Sequence, residues 1–105
     1  MSKQNFQYNS NQTLNKDWGG NYVTFNPRGH VYIFLDKNVS DNLCIGWETE
    51  IRRKDGDGNI RFTLDNGVYL NCMIGNPQSE KNHAVMYLKK VGESEFHLSG
   101  DIKSY

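Results

Sequence analysis

Two short segments carry the residues whose types could do binding chemistry, Phe25-Asn26-Pro27-Arg28 and Trp47-Glu48-Thr49-Glu50-Ile51-Arg52. Between them they supply two arginines, carboxylates, an amide and an indole. An indole is a flat apolar plate, and the polar groups are directional donors and acceptors. That mixture suits a flat ligand rich in hydroxyls. In extended chain, alternate side chains share a face. Asn26, Arg28 and His30 therefore project together, as do Glu48, Glu50 and Arg52, while Phe25 and Ile51 point inward. If the two segments lie on neighbouring strands, the Glu50 carboxylate sits between two guanidinium groups. Charge-assisted bonds hold such side chains still, and a rigid array binds a ligand without a large ordering cost. Trp47 has the opposite parity. It reaches that face only if a twist or bulge at Gly46 turns it outward. Otherwise it belongs to the core, and the charges are an ordinary solvated face.

The elements that must position these residues read as strands and turns. Residues 1–15 form a polar, Asn/Gln-rich arm in which Phe6, Tyr8 and Leu14 are spaced to pin an edge strand. From Gly19 onward, Asn21–Asn26 alternates. His30–Leu35 is continuously apolar after its His, as in a strand covered on both faces. Leu43–Arg53, Ile60–Leu64, Tyr69–Ile74, Ala84–Leu88 and Glu95–Leu98 add further strand-like runs. Pro27-Arg28-Gly29, Asp55-Gly56-Asp57-Gly58 and Asp65-Asn66-Gly67 mark breaks, the last two with hairpin chemistry. No stretch shows sustained helical periodicity. The pattern predicts an all-β, antiparallel β-sandwich over residues 16–105, built as a meander of hairpins, with a small up-and-down β-barrel as the alternative.

Other chemistries find less support. The 12 Lys+Arg balance the 12 Asp+Glu, whereas nucleic-acid binders usually carry a basic excess. Tyr22, Tyr32, Phe34 and Trp47 could stack on single-stranded bases, but the zero net charge argues against that. Lys54–Ile60 looks like the middle of a calcium loop, yet the positions needing an acidic first ligand and a final bidentate Glu hold Arg53 and Leu64. His30, His83 and His97 are scattered without metal-ligand spacing. Cys44 and Cys72 lie in apolar runs and read as buried free thiols. The expectation is a protein that is not an enzyme, with no cofactor and no metal.

In order and spacing, these residues resemble the signature of the galectin family. Thr24-Phe25-Asn26-Pro27-Arg28 is similar to its His-x-Asn-Pro-Arg segment, Asn38 stands at the middle Asn position, and Trp47-Glu48-Thr49-Glu50-Ile51-Arg52 is similar to its Trp-Gly-x-Glu-x-Arg segment. Thr24 replaces the leading His and Glu48 the Gly. Weaker likeness continues to residue 102. The resemblance implies a jelly-roll, galectin-like sandwich, trimmed in this short chain, that binds β-galactosides without a metal. Trp47 would stack on the sugar, and Asn26, Arg28, Asn38, Glu50 and Arg52 would hydrogen-bond its hydroxyls.

The functional expectation is thus a lectin-like module for a galactose-type glycan, with a homodimer supplying multivalency. The alternative is a small protein-binding module of the inhibitor, immunity or viral anti-defence kind, anchored by aromatic residues. No apolar run approaches the length of a membrane span, and residues 1–5 lack the apolar region of a signal peptide. A cytoplasmic protein is expected, with export by an unconventional route left open.

Overall fold

The alternating runs become strands in the computed structural model, which describes residues 3–105. In chain order these are β1 (Asn5–Tyr8), β2 (Gln12–Thr13), β3 (Tyr22–Phe25), β4 (Val31–Leu35), the helix α1 (Lys37–Asp41), β5 (Glu48–Arg53), β6 (Ile60–Leu64), β7 (Tyr69–Asn71), β8 (Pro77–Ser79), β9 (Val85–Gly92), β10 (Glu95–Gly100) and β11 (Ile102–Ser104). A single 3-10 turn, Lys16–Trp18, precedes β3. One sheet has the order β1-β3-β5-β9-β10-β7 and the other β11-β8-β6-β4-β2. Their inner residues share one apolar core, with Val23, Phe25, Ile51, Met86, Leu88, Phe96 and Leu98 from the first and Val31, Ile33, Leu35, Ile60 and Phe62 from the second.

The all-β expectation holds, but the antiparallel one does not, because both sheets are mixed. β1, β3 and β5 run parallel, and so do β2, β4 and β6. β9 and β10, neighbours in the chain, form a hairpin, β7 lies parallel to β10, and in the second sheet β6 with β8 and β8 with β11 are antiparallel. The reason lies in the turns. Pro27-Arg28-Gly29 and the Asp55–Gly58 segment do not reverse the chain within a sheet. They are corners at which it passes from the first sheet to the second, from β3 to β4 and from β5 to β6. Parallel strands need a long crossover, and here the opposite sheet provides it.

The two corners stack backbone on backbone. Gly58 N–H points to the Pro27 carbonyl at 3.4 Å, Lys54 N–H donates to Phe25 O at 2.8 Å, and Val31 N–H donates to Asn59 O at 3.0 Å. The His30 ring joins them, its Nδ1 accepting from Asn59 N–H at 3.1 Å. A Cβ on Gly58 would collide with the Gly29 carbonyl and one on Gly56 with the Pro27 carbonyl, so only glycine permits this approach. Register is then enforced by burial. Val23 pairs with Ile51, and both are fully buried. A one-residue slip of β5 would expose Ile51 and drive Glu50 and Arg52 inward, at about 1.5–3 kcal/mol for each apolar side chain lost to water.

No helix was expected, yet Asp36 nucleates one by accepting from Val39 N–H at 3.0 Å as its N-cap. The helix is fastened at its C-terminal end. Lys90, 2% exposed on the inner side of β9, donates through Nζ to the carbonyls of Ser40 and Leu43. Asp41 accepts from Ser94 Oγ at 2.6 Å and pairs with Lys37 Nζ at 3.1 Å. The Ser94 bond first, and then Lys37, hold the Asp41 carboxyl below the usual aspartate range.

The segment Leu43–Gly46, expected within a strand, is a loop. Cys44 is exposed there rather than buried, and Cys72 is half-buried with its Sγ against Ile74 O at 2.7 Å. The polar arm is part of the sheets. β1 and β2 are edge strands, and Tyr8 packs against both Trp18 and Phe25, with ring centroids 5.9 and 5.7 Å away.

Two measurements probe this frame. Gly58→Ala should lower stability by about 1–3 kcal/mol in urea unfolding because the corner cannot yield. Gly29→Ala, whose Cβ meets open space, should change it by less than about 0.5 kcal/mol. Equal midpoints for the two would refute the stacked corner. Asp41 contributes stability fully above the ordinary aspartate range, and this is lost as pH falls through its depressed folded value. Ser94→Ala should raise the Asp41 pKa in an NMR carboxyl titration; an unmoved titration would show that the hydroxyl does not hold it.

Candidate functional site

The outer face of the first sheet is written in rows by its register. Asn5 lies beside Tyr22, Tyr22 beside Glu50, Glu50 beside Tyr87, and Tyr87 beside Ser99. The next row runs Gln7, Thr24, Arg52 and Val85. Glu50 and Arg52 therefore sit on adjacent rows of one strand and form an ion pair through Arg52 Nε. The Arg52 guanidinium also lies 3.9 Å from the centroid of the Tyr22 ring, and Lys3 Nζ lies 5.0 Å from the same ring. The guanidinium is thus fixed by a carboxylate and by an aromatic face at once. Beside the pair opens a cleft of about 210 Å³ whose lining includes Lys3, Gly20, Asn21, Glu48, Glu50 and Tyr87. Tyr87 is 41% exposed, so its ring is available as a plate.

Thr24 is buried beside β1, with its hydroxyl donating to Asn5 Oδ1 at 2.7 Å. Asn21 spends its amide on the backbone. Its Nδ2 donates to Asp17 O at 2.8 Å and its Oδ1 accepts from Gln4 N–H at 3.0 Å. It shapes the rim of the cleft through these bonds.

The six residues singled out by the sequence do not converge. Glu50 and Arg52 share the face just described. Asn26 is exposed beyond the end of β3 and lines a separate polar cleft with Gln7, Asn9, Ser10 and Lys54. Arg28 is exposed in the corner between β3 and β4. Asn38 stands on α1 and lines a different hollow with Thr13, Lys16 and Asn42. Trp47 is half-buried against the core. Its Nε1 donates to Lys16 O at 3.1 Å, and its ring meets Phe96 edge-on at 6.4 Å. Gly46 does adopt φ +100°, but the indole packs against Gly19, where a Cβ would strike it. The exposed aromatic ring on this face is Tyr87, which lies outside the sequence motifs. The signal available was its alternation with buried Met86 and Leu88 in a strand.

Among the described residues, no group of three or more His, Cys, Asp or Glu is placed to hold a metal ion. No helix of the described residues is long and apolar enough to cross a membrane. The chain matches no protein-family model, and neither a curated protein nor a solved structure is significantly similar to it.

Trp47→Phe keeps an aromatic ring but removes part of the packed indole together with its hydrogen bond. It should cost about 1–3 kcal/mol in urea unfolding. An unchanged midpoint would place the indole outside the packing described.

Proposed function

We propose that this chain is a non-catalytic saccharide-binding β-sandwich, lectin-like in function, whose site is the outer face of β3, β5 and β9. The observation that carries the reading is the Glu50–Arg52 pair held against Tyr22 beside the exposed Tyr87 ring. A carboxylate accepts from sugar hydroxyls, and a guanidinium fork donates to them in a fixed plane. Both groups are pinned before a ligand arrives, so little ordering cost falls on binding. Their opposite charges favour a neutral ligand. Tyr87 offers an apolar ring to the C–H face of a pyranose and a hydroxyl at its tip. The galectin resemblance supports a galactose-type sugar, although Asn26, Arg28, Asn38 and Trp47 lie off this face. The mixed, partly parallel sheets also differ from the jelly-roll arrangement which that resemblance implies. One shallow site of this kind gives millimolar affinity, about 4 kcal/mol.

A glycan array tests the reading. Wild-type protein should bind galactose-terminated glycans. Tyr87→Ala and Glu50→Gln should each weaken binding tenfold or more, and Trp47→Phe should leave it within twofold. Retained binding by both of the first two variants, or no binding by the wild type, would overturn it.

One observation favours the alternative of a protein-binding module. Met73 is 95% and Tyr69 65% exposed, close to a groove whose lining includes Leu64, Leu70, Ile74 and Tyr105. A contiguous apolar patch at this place would mark a protein interaction surface, whereas single exposed apolar side chains are ordinary. Met73→Glu would then abolish a pull-down complex, with glycan binding absent throughout.

A further inference from the structure

The outer face of the second sheet carries a cleft unrelated to the residues above. It measures about 400 Å³ and is lined by Asn11, Gln12, Thr13, Tyr32, Phe34 and Thr63. Tyr32 and Phe34 are both half-exposed on β4. Two residues apart on one strand, their side chains stand about 6.6 Å apart on the same face. Phe34 is flanked in register by Thr13 on β2 and Thr63 on β6, so a threonine stands on each side of it. Tyr32 is held in place from outside the cleft. Its hydroxyl accepts from Arg61 Nη1 at 3.4 Å, Arg61 Nε donates to Gln78 Oε1 at 2.9 Å, and the guanidinium stacks 3.9 Å from the centre of the Tyr105 ring. Asn11 accepts at Oδ1 from the Tyr32 N–H at 2.9 Å.

We infer that this cleft is a second saccharide site, taking two consecutive rings of a neutral oligosaccharide. Charge selects the occupant. The six lining side chains carry no charge at neutral pH, and the Arg61 guanidinium at the edge is already engaged by Tyr32, Gln78 and the Tyr105 ring, so a neutral occupant is favoured over an ion. The cleft offers two aromatic plates with amide and hydroxyl groups around them, the complement of alternating C–H faces and hydroxyls. The inference rests on the saccharide reading of the protein and extends it. With one site on the outer face of each sheet, a single chain is bivalent. It can link two glycan chains without forming an oligomer, and it gains avidity on a dense glycan surface.

The test is an amide NMR titration of the full chain with neutral galacto-, gluco-, manno- and xylo-oligosaccharides. The second site predicts shifts at Thr13, Tyr32, Phe34 and Thr63 with at least one of them. Thr63→Arg, an exposed substitution that fills the cleft, should abolish those shifts and leave the unfolding midpoint unchanged. Tyr87→Ala should leave them intact. Shifts confined to residues 20–22, 48–52 and 87 would overturn the second site and leave the first standing. Shifts confined to the β4 cleft would overturn the first and leave this one. No shift with any of the four series would overturn both. Agglutination of oligosaccharide-coated beads should be lost with either Thr63→Arg or Tyr87→Ala; persistence in both variants would contradict bivalency.

Discussion

The parallel pairing of β3 with β5 is the constraint on which the other features depend. It requires the chain to leave the first sheet after Phe25, cross through β4 and α1, and return at Glu48 beside the strand it left. The return succeeds because the corner at residues 54–59 lies directly on the corner at residues 26–30, glycine backbone against carbonyl. Once those corners meet, Tyr22 stands beside Glu50 and Thr24 beside Arg52. The antiparallel addition of β9 then brings Tyr87 to Glu50. The ion pair, the ring that holds it and the exposed plate thus come from three distant parts of the chain through a single choice of register.

Much of this was legible in advance. The parity that sends Ile51 inward and Glu50 and Arg52 outward follows from strand geometry alone, and the structure repeats it. The apolar run of β4 was legible as a strand as well, but only one of its faces is buried, because Tyr32 and Phe34 alternate with Val31, Ile33 and Leu35 on an outer side that nothing covers fully. Strand direction was not legible. A Pro-Arg-Gly break or an Asp-Gly repeat has the same local chemistry whether it turns the chain back within a sheet or carries it to the opposite one. What separates the two is contact between residues some thirty positions apart, which no window of sequence contains. Trp47 shows the same limit. Its type and spacing suggest an exposed plate, but the Lys16 carbonyl and the Phe96 edge give its N–H and ring a better place in the packing. The helix α1 is too short to show periodicity. It persists because Lys90 and Ser94, roughly fifty residues away, satisfy its end and its Asp41.

The proposed saccharide reading rests on the electrostatics of this face. An exposed ion pair contributes little to stability. Arg52 and Glu50 are half-buried, however, and the guanidinium also rests on Tyr22. Such an arrangement costs side-chain entropy during folding and spares it during binding. The second sheet repeats the logic with different residues, since Arg61 is engaged in fixing Tyr32 and the side chains lining the cleft are themselves uncharged.

Intermolecular NOEs between a bound galactoside and the protein's aromatic rings test the saccharide cradle most directly. A site built across β3, β5 and β9 predicts contacts from the sugar C–H protons to the Tyr87 ring. Contacts to the Trp47 indole in place of Tyr87, or no contact to any aromatic ring at saturating sugar, would contradict it.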